Sequence, residues 1–244
     1  MRAVARAIIG LRMRLRFRIW VARTHLELRR FGGTLIVDAP YAVHFDEAPV
    51  IRAFPDGDGS AVTTLRFGRD ARIGRNLTIE LFARGENHFE VGDTARVLNN
   101  VRVILRSGSV RFGSECLVRD GVWIKSDGAF VAGDGVTLGP YSAIHCAGSV
   151  TFDDLVGLAE RVSVIDSEHT FDGTDAHYMR NPLTVTPVSL GRQTMIAAGA
   201  VVLRGTTIGQ NSVVASNALV RTGEYPAGSV LVGNPARVVK RLVE

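Results

Sequence analysis

Cysteine is nearly absent from this 244-residue chain: only Cys116 and Cys146 occur. Two thiols make no disulfide framework, and a reducing, cytoplasmic compartment is the default expectation. No run of eighteen uncharged apolar residues exists, so nothing reads as a membrane-spanning helix. Aromatic residues are scarce at 7%. The 26 glycines and many Val and Ile suit a repetitive β structure better than an aromatic-rich globule. There is no phosphate-binding Walker loop, no dinucleotide fingerprint and no Cys/His zinc spacing, so no metal is expected. Acid is missing from one place in particular. Residues 1–30 hold nine arginines and one acid, Glu27, for a charge of +8, while the rest of the chain carries −3. The basic balance is therefore local. It argues against a nucleic-acid-binding surface and for a distinct N-terminal element.

That element, residues 1–33, carries a helical stripe: Ile8, Leu11, Leu15, Ile19, Ala22 and Leu26. Arg12 to Ile19 also alternates as a strand would, but length and the Gly32-Gly33 stop favour a helix. Arginine interrupts any apolar run that a signal peptide would need. Two readings stay open. The segment packs on its own core or a neighbouring subunit, as a cap on the first coil, or it lies as a basic amphipathic helix on the inner face of an anionic membrane.

Residues 34–60 read as a lead-in, with a strand pair in "FGGTLIVDAPYAVHF" and a turn in "FPDGDGS". From residue 61 to 232 a six-residue apolar period takes over. Phe67, Ile73 and Ile79 show it, then Phe112, Val118, Ile124 and Phe130. The longest run is Leu190, Ile196, Val202, Ile208, Val214 and Val220. One inward side chain per hexapeptide makes one short strand and one corner, and three hexapeptides make one triangular coil. The expected fold is all-β, a parallel β-helix.

The longest gap in the period lies between Val164 and Leu190, and it contains the polar, unpatterned loop 165–187. Loops held by a rigid scaffold are where chemistry tends to be placed. This one contains His169 between acidic residues. Transfer of an acyl group to a hydroxyl needs a base with a pKa near the working pH, and histidine is the natural choice. Its second ring nitrogen needs an orienting acceptor, which Asp166 or Glu168 would supply. His177 and Arg180 in the same loop are candidates for the acceptor pocket.

The stretch "VSLGRQTMIAAGAVVLRGTTIGQNSVVASNALVRTGEYPAGSVLVGNPARVVKRL", Val188 to Leu242, resembles the C-terminal half of the hexapeptide-repeat O-acetyltransferases. These are the maltose, galactoside, nodulation and polysaccharide-modifying enzymes. The resemblance runs back through "SVTFDDLVGLAERVSVIDSEH" and covers about 110 residues. It implies a left-handed β-helix, a homotrimer, and an acyl-CoA donor, acetyl-CoA foremost, in a groove between neighbouring helices. The implied acceptor is a saccharide or glycan hydroxyl, with His169 at the place of the family's general base. His145 falls near a family asparagine that helps bind the donor or the oxyanion. Ala198 and Ser216 match places beside the pantetheine arm. Arg221 and Thr222 match a Thr-Lys pair near the adenine end. Arg237 and Lys240, in the C-terminal tail 233–244, match basic residues near the nucleotide phosphates.

The chain departs from the family at two quoted places. "MIA" at Met195 stands where "W-I-G" is usual, leaving a more adaptable wall that suits a larger acyl group. "LRG" at Leu203 to Gly205 replaces "NPG" or "LPG". Rival readings are an N-acyltransferase acting on an amino sugar, a zinc hydratase of the same fold, and a scaffold without catalysis. The hydratase needs two histidines five residues apart, a spacing that His145, His169 and His177 do not have.

Overall fold

The computed structural model describes residues 2–39, 43–54, 61–82, 85–171, 173 and 177–242, with the side chains of 2–14 outside that description. The chain winds through three sheets of nine, ten and eight strands, parallel except for the last strand of the second, visiting the first, second and third face of a prism in turn. This is the parallel β-helix that the hexapeptide period predicts, left-handed as the family resemblance implies. Leu190 lies under Ile208, eighteen residues on, so the late coils are three hexapeptides each. Val110 lies under Phe130, twenty residues on. The earlier coils are longer because their third-face strands turn two residues inward, as in Trp123–Ser126 and Ala143–Cys146, where the late Val201–Val202 and Leu219–Val220 turn one. That is why the period slips there.

The core is a set of side-chain columns running up the prism. On the first face, Phe89 is registered with Leu65 below and Val110 above, and Phe112 with Val91 below and Ala132 above. Phenylalanine thus alternates between two adjacent columns: Phe67, Phe89, Phe112, Phe130 and Phe152 zigzag upward. Successive rings meet edge-on at 6.3, 6.5, 5.8 and 5.3 Å. Edge-to-face contact satisfies the ring quadrupoles, and each ring has an aliphatic residue rather than another ring in its own column.

Corners demand left-handed backbone. Asn76, Asn100, Asn211 and Asn217 adopt it at φ 56 to 58°, where asparagine is tolerated best after glycine. Gly139 is required for space, since a Cβ there would land on the Ala159 carbonyl of the next coil.

Two boundaries differ from the sequence expectation. β1 (Thr34–Asp38) and β2 (His44–Phe45) do not pair with each other. Each lies parallel to the strand one coil on, Thr34 beside Val62 and His44 beside Arg72, and β3 (Val50–Phe54) follows suit beside Thr78. The β-helix therefore begins at Thr34, and residues 34–54 form its first coil. The expected turn falls largely on residues 55–60, outside the described residues. At the other end, the tail folds back: Ala236–Arg241 pairs antiparallel with Ser229–Gly233.

A helix, α1 (Arg2–Arg29), precedes the first coil. It ends where Gly32 takes φ +75° and the Gly33 N–H donates to the Leu28 carbonyl at 2.9 Å. Its inward face is Phe17, Trp20, Thr24 and Leu28, not the stripe that the sequence suggested. Trp20 packs on Phe45 and Phe67 at 5.4 and 6.2 Å and donates its indole N–H to the Pro49 carbonyl at 2.8 Å. The open first coil offers aromatic surface, and the helix turns its own rings onto it. Leu15, Ile19 and Leu26 of the expected stripe are 58%, 52% and 62% exposed. Ile8 and Leu11 lie outside the described side chains.

Candidate active site

The break in the period sits at one corner of the prism, where the chain passes from the third face (Ser163–Ile165) to the first (Val188–Leu190). Sequence alone suggested an unpatterned loop, but its base is a hairpin. Ser167–His169 pairs antiparallel with Leu183–Val185, placing His169 opposite Leu183. The tip contains a 3-10 turn, Tyr178–Arg180, capped by His177 Nδ1, which accepts the Met179 N–H at 3.3 Å.

His169 is half-buried at the end of the hairpin strand. Its Nδ1 lies 3.3 Å from the Asn181 carbonyl oxygen. A carbonyl only accepts, so this bond requires the proton on Nδ1 and leaves the lone pair on Nε2. Asn181 is held in turn: its side-chain amide donates to the Thr170 carbonyl at 2.7 Å. The Tyr178 ring meets the His169 ring edge-on at 5.7 Å and stacks with His177 at 4.9 Å and with Phe171 at 6.2 Å. The described tip is thus an aromatic cluster around Tyr178, with His169 at its edge.

Neither acid expected to orient His169 does so. Asp166 is fully buried, and its carboxylate accepts the backbone N–H groups of Ala147, Gly148 and Ser149 at 2.7, 2.7 and 2.9 Å. It ties the root of the hairpin to the corner of the coil below, a structural task. Glu168 pairs with Arg204 of the following coil, which also donates to Thr186 Oγ1 at 3.4 Å. A backbone carbonyl orients the histidine instead.

His145 stands on the third face, registered with Ile165 above and Lys125 below. Its ring lies 4.6 Å from that of Trp123. Burial, then the Lys125 cation, lowers its pKa, partly opposed by Asp127 and Asp166. It is therefore neutral at neutral pH. Burial pushes the thiols the other way, Cys116 to about 11 and Cys146 to about 12, so neither serves as a nucleophile.

The donor-matching residues fall into two groups. Arg221 and Thr222 share the corner of His169, where Thr222 Oγ1 donates to the Arg204 carbonyl at 2.7 Å. Ala198 and Ser216 occupy successive coils of the next corner back, joined by the Asn217 N–H on the Ala198 carbonyl at 2.9 Å. Met195, 42% exposed, looks out from the second face, and Arg237 and Lys240 lie exposed on the terminal strand of that face. The whole width of the third face separates the two groups within one chain. His177 and Arg180 are exposed on the hairpin.

Sequence reasoning missed Asn181, Tyr178, Trp123 and the role of Arg204. Backbone acceptors and ring contacts leave no motif. Arg204 alone left a trace, as the odd residue in "LRG".

No protein-family profile matches the chain. A probable acetyltransferase of Mycobacterium tuberculosis is 36% identical over 114 residues, covering 47% of this chain and 38% of the relative. WbbJ of Escherichia coli, described as a putative O-acetyl transferase of lipopolysaccharide biosynthesis, is 29% identical over 157 residues, 60% of this chain and 79% of its own. A tetrahydropyridine-dicarboxylate N-acetyltransferase of Staphylococcus aureus is 40% identical over 63 residues, 26% of each chain. The chain thus spans well under half the length of the first and third of these relatives. Among solved structures, AntD, an N-acyltransferase from Bacillus cereus in complex with dTDP and coenzyme A, aligns over 69% of this chain and 82% of its own, at 16% identity and TM-score 0.46. The polySia-specific acetyltransferase NeuO aligns over 86% and 81%, at 16% identity and TM-score 0.41.

Proposed function

We propose that this chain, a member of the hexapeptide-repeat acyltransferase family, transfers an acyl group from acyl-CoA to a hydroxyl of a saccharide or glycan, with His169 as general base. The observation that carries the reading is the Nδ1 contact to Asn181, which leaves His169 Nε2 as a proton acceptor at the edge of the hairpin. Nε2 takes the proton of the acceptor hydroxyl as its oxygen attacks the thioester carbonyl carbon. The tetrahedral intermediate then expels the coenzyme A sulfur, which leaves with the proton from His169. Neutral His145 can hold a hydrogen bond but brings no competing charge.

The split of the donor-matching residues bears on assembly. In one chain, Met195, Ala198 and Ser216 stand a full face away from His169. A homotrimer, with the hairpin of one copy set against the Ala198–Ser216 corner of the next, reunites them. Met195, exposed where the family has tryptophan, makes room for an acyl group longer than acetyl. The Staphylococcus relative acts on nitrogen, which keeps an amino-sugar acceptor as the second reading.

The test is thiol release from a series of short acyl-CoAs with sugar and amino-sugar acceptors, on the wild type and on His169→Ala. The expected result is acceptor-dependent release that falls on the order of 100-fold in the variant, with an unchanged melting temperature. Wild-type turnover in a folded His169→Ala protein would remove the histidine from this role.

A further inference from the structure

We propose that the outward face of α1 docks on the surface of an anionic lipid bilayer, a property independent of the acyl-transfer reading. Leu15, Ile19, Ala22 and Leu26 recur at helical spacing and form one line along the helix. All four are exposed, and the line lies across the helix from the face that Phe17, Trp20, Thr24 and Leu28 bury. α1 therefore has two apolar faces, of which the first coil covers one.

The flanks of the outward line identify what covers the other. At about 100° per residue, Arg18 and Arg29 fall on one side of it, and Arg16, Arg23 and Arg30 on the other. All five are exposed. The one acid of the segment, Glu27, lies 3.4 Å from Arg30, the only ion pair of α1 among the described residues. An apolar line between two rows of one charge sign fits a planar, negatively charged, apolar-beneath partner: phosphate headgroups meet the guanidinium rows while the leucine line enters the acyl boundary. Among the described residues no helix is long and apolar enough to cross a membrane, so the helix lies on the surface.

Removing α1 is a poor test, because its inward face belongs to the core. Two surface variants of the full chain avoid this: Leu15→Gln with Ile19→Gln and Leu26→Gln, and Arg16→Gln with Arg18→Gln and Arg23→Gln. The measurement is co-sedimentation with vesicles of phosphatidylglycerol and phosphatidylcholine, and with phosphatidylcholine alone, at low and high salt. The wild type should bind the anionic vesicles and leave the neutral ones. High salt should release it, and each variant should bind at least about tenfold more weakly, with each arginine worth roughly fivefold. Both variants should melt as the wild type does. Three results overturn the proposal. One is wild-type protein that stays in the supernatant with anionic vesicles. Another is binding that neither variant weakens. The third is a smaller assembly in light scattering for the leucine-line variant, which makes the face a contact between copies. If that variant misfolds, the arginine variant decides alone.

Discussion

Glu168 and Arg204 form an ion pair that fastens the hairpin of His169 to the coil above it. Glu168 is the residue before the histidine, so the tether acts one peptide unit from the proposed base. Three quarters of the Arg204 side chain is covered, whereas Glu168 is more than half exposed. The buried Arg204 Nε has no hydrogen-bond partner, so the pairing rests on the terminal nitrogens.

A partly exposed pair contributes little to stability, about 0.5–1 kcal/mol. Its loss should show in turnover instead. Glu168→Gln and Arg204→Ala should each lower kcat about tenfold with melting temperatures within a few degrees of wild type. The double variant should be no worse than the poorer single one. Additive losses in kcat would mean that the two residues act separately.

Asp166 allows a sharper distinction. Asp166→Ala leaves three half-buried N–H groups without their carboxylate acceptor and should cost about 2–3 kcal/mol in denaturant unfolding. Asp166→Asn keeps one carbonyl oxygen and should cost less. A member of a catalytic triad would behave otherwise, so an Asp166→Asn protein with wild-type stability and severely reduced kcat would refute the structural assignment.

His145 gives stability a pH dependence. Its folded pKa lies below the ordinary value of 6.5 because burial, then Lys125, disfavours the cation. The unfolded chain therefore binds the proton first as pH falls. The contribution of His145 is complete above about 6.5 and declines as pH drops from there through the folded pKa. His145→Gln should flatten this part of the curve, measured by urea unfolding across the acidic range. A curve parallel to that of wild type would exclude the effect.

The aromatic zigzag sets the cost of a core cavity. Phe130 is fully buried, and its ring is flanked by Phe112 and Phe152. Phe130→Ala should destabilise by about 3–5 kcal/mol, with thiol release unaffected in the surviving folded fraction. A loss below about 1 kcal/mol would show that the columns collapse around the gap.

The β-helix was legible in the sequence because each coil repeats the same physical demand, one aliphatic residue inward every sixth position. Its ends were not. β1 and β2 are first-coil strands whose partners lie one coil on, and a local reading paired them with each other. The helical stripe was real, but hydrophobic spacing does not say which of two apolar faces a core will choose. Phe17 and Trp20 won because the open coil offered Phe45 and Phe67. At the site, spacing singled out His169. Its surroundings depend on where the hairpin returns: Asn181 comes back beside it, and Asp166 turns to the coil below. Proximity in sequence suggested the wrong partners.

The alternation of phenylalanine between two columns also gives the prism a parity. Removing one coil, such as that of Phe89, would seat Phe67 and Phe112 in the same column, ring over ring at the roughly 4.8 Å spacing of neighbouring strands. Both edge-on contacts of Phe89 would go with it. Removing two successive coils restores the alternation. Within its aromatic stretch, this β-helix can shorten or lengthen smoothly only by even numbers of coils.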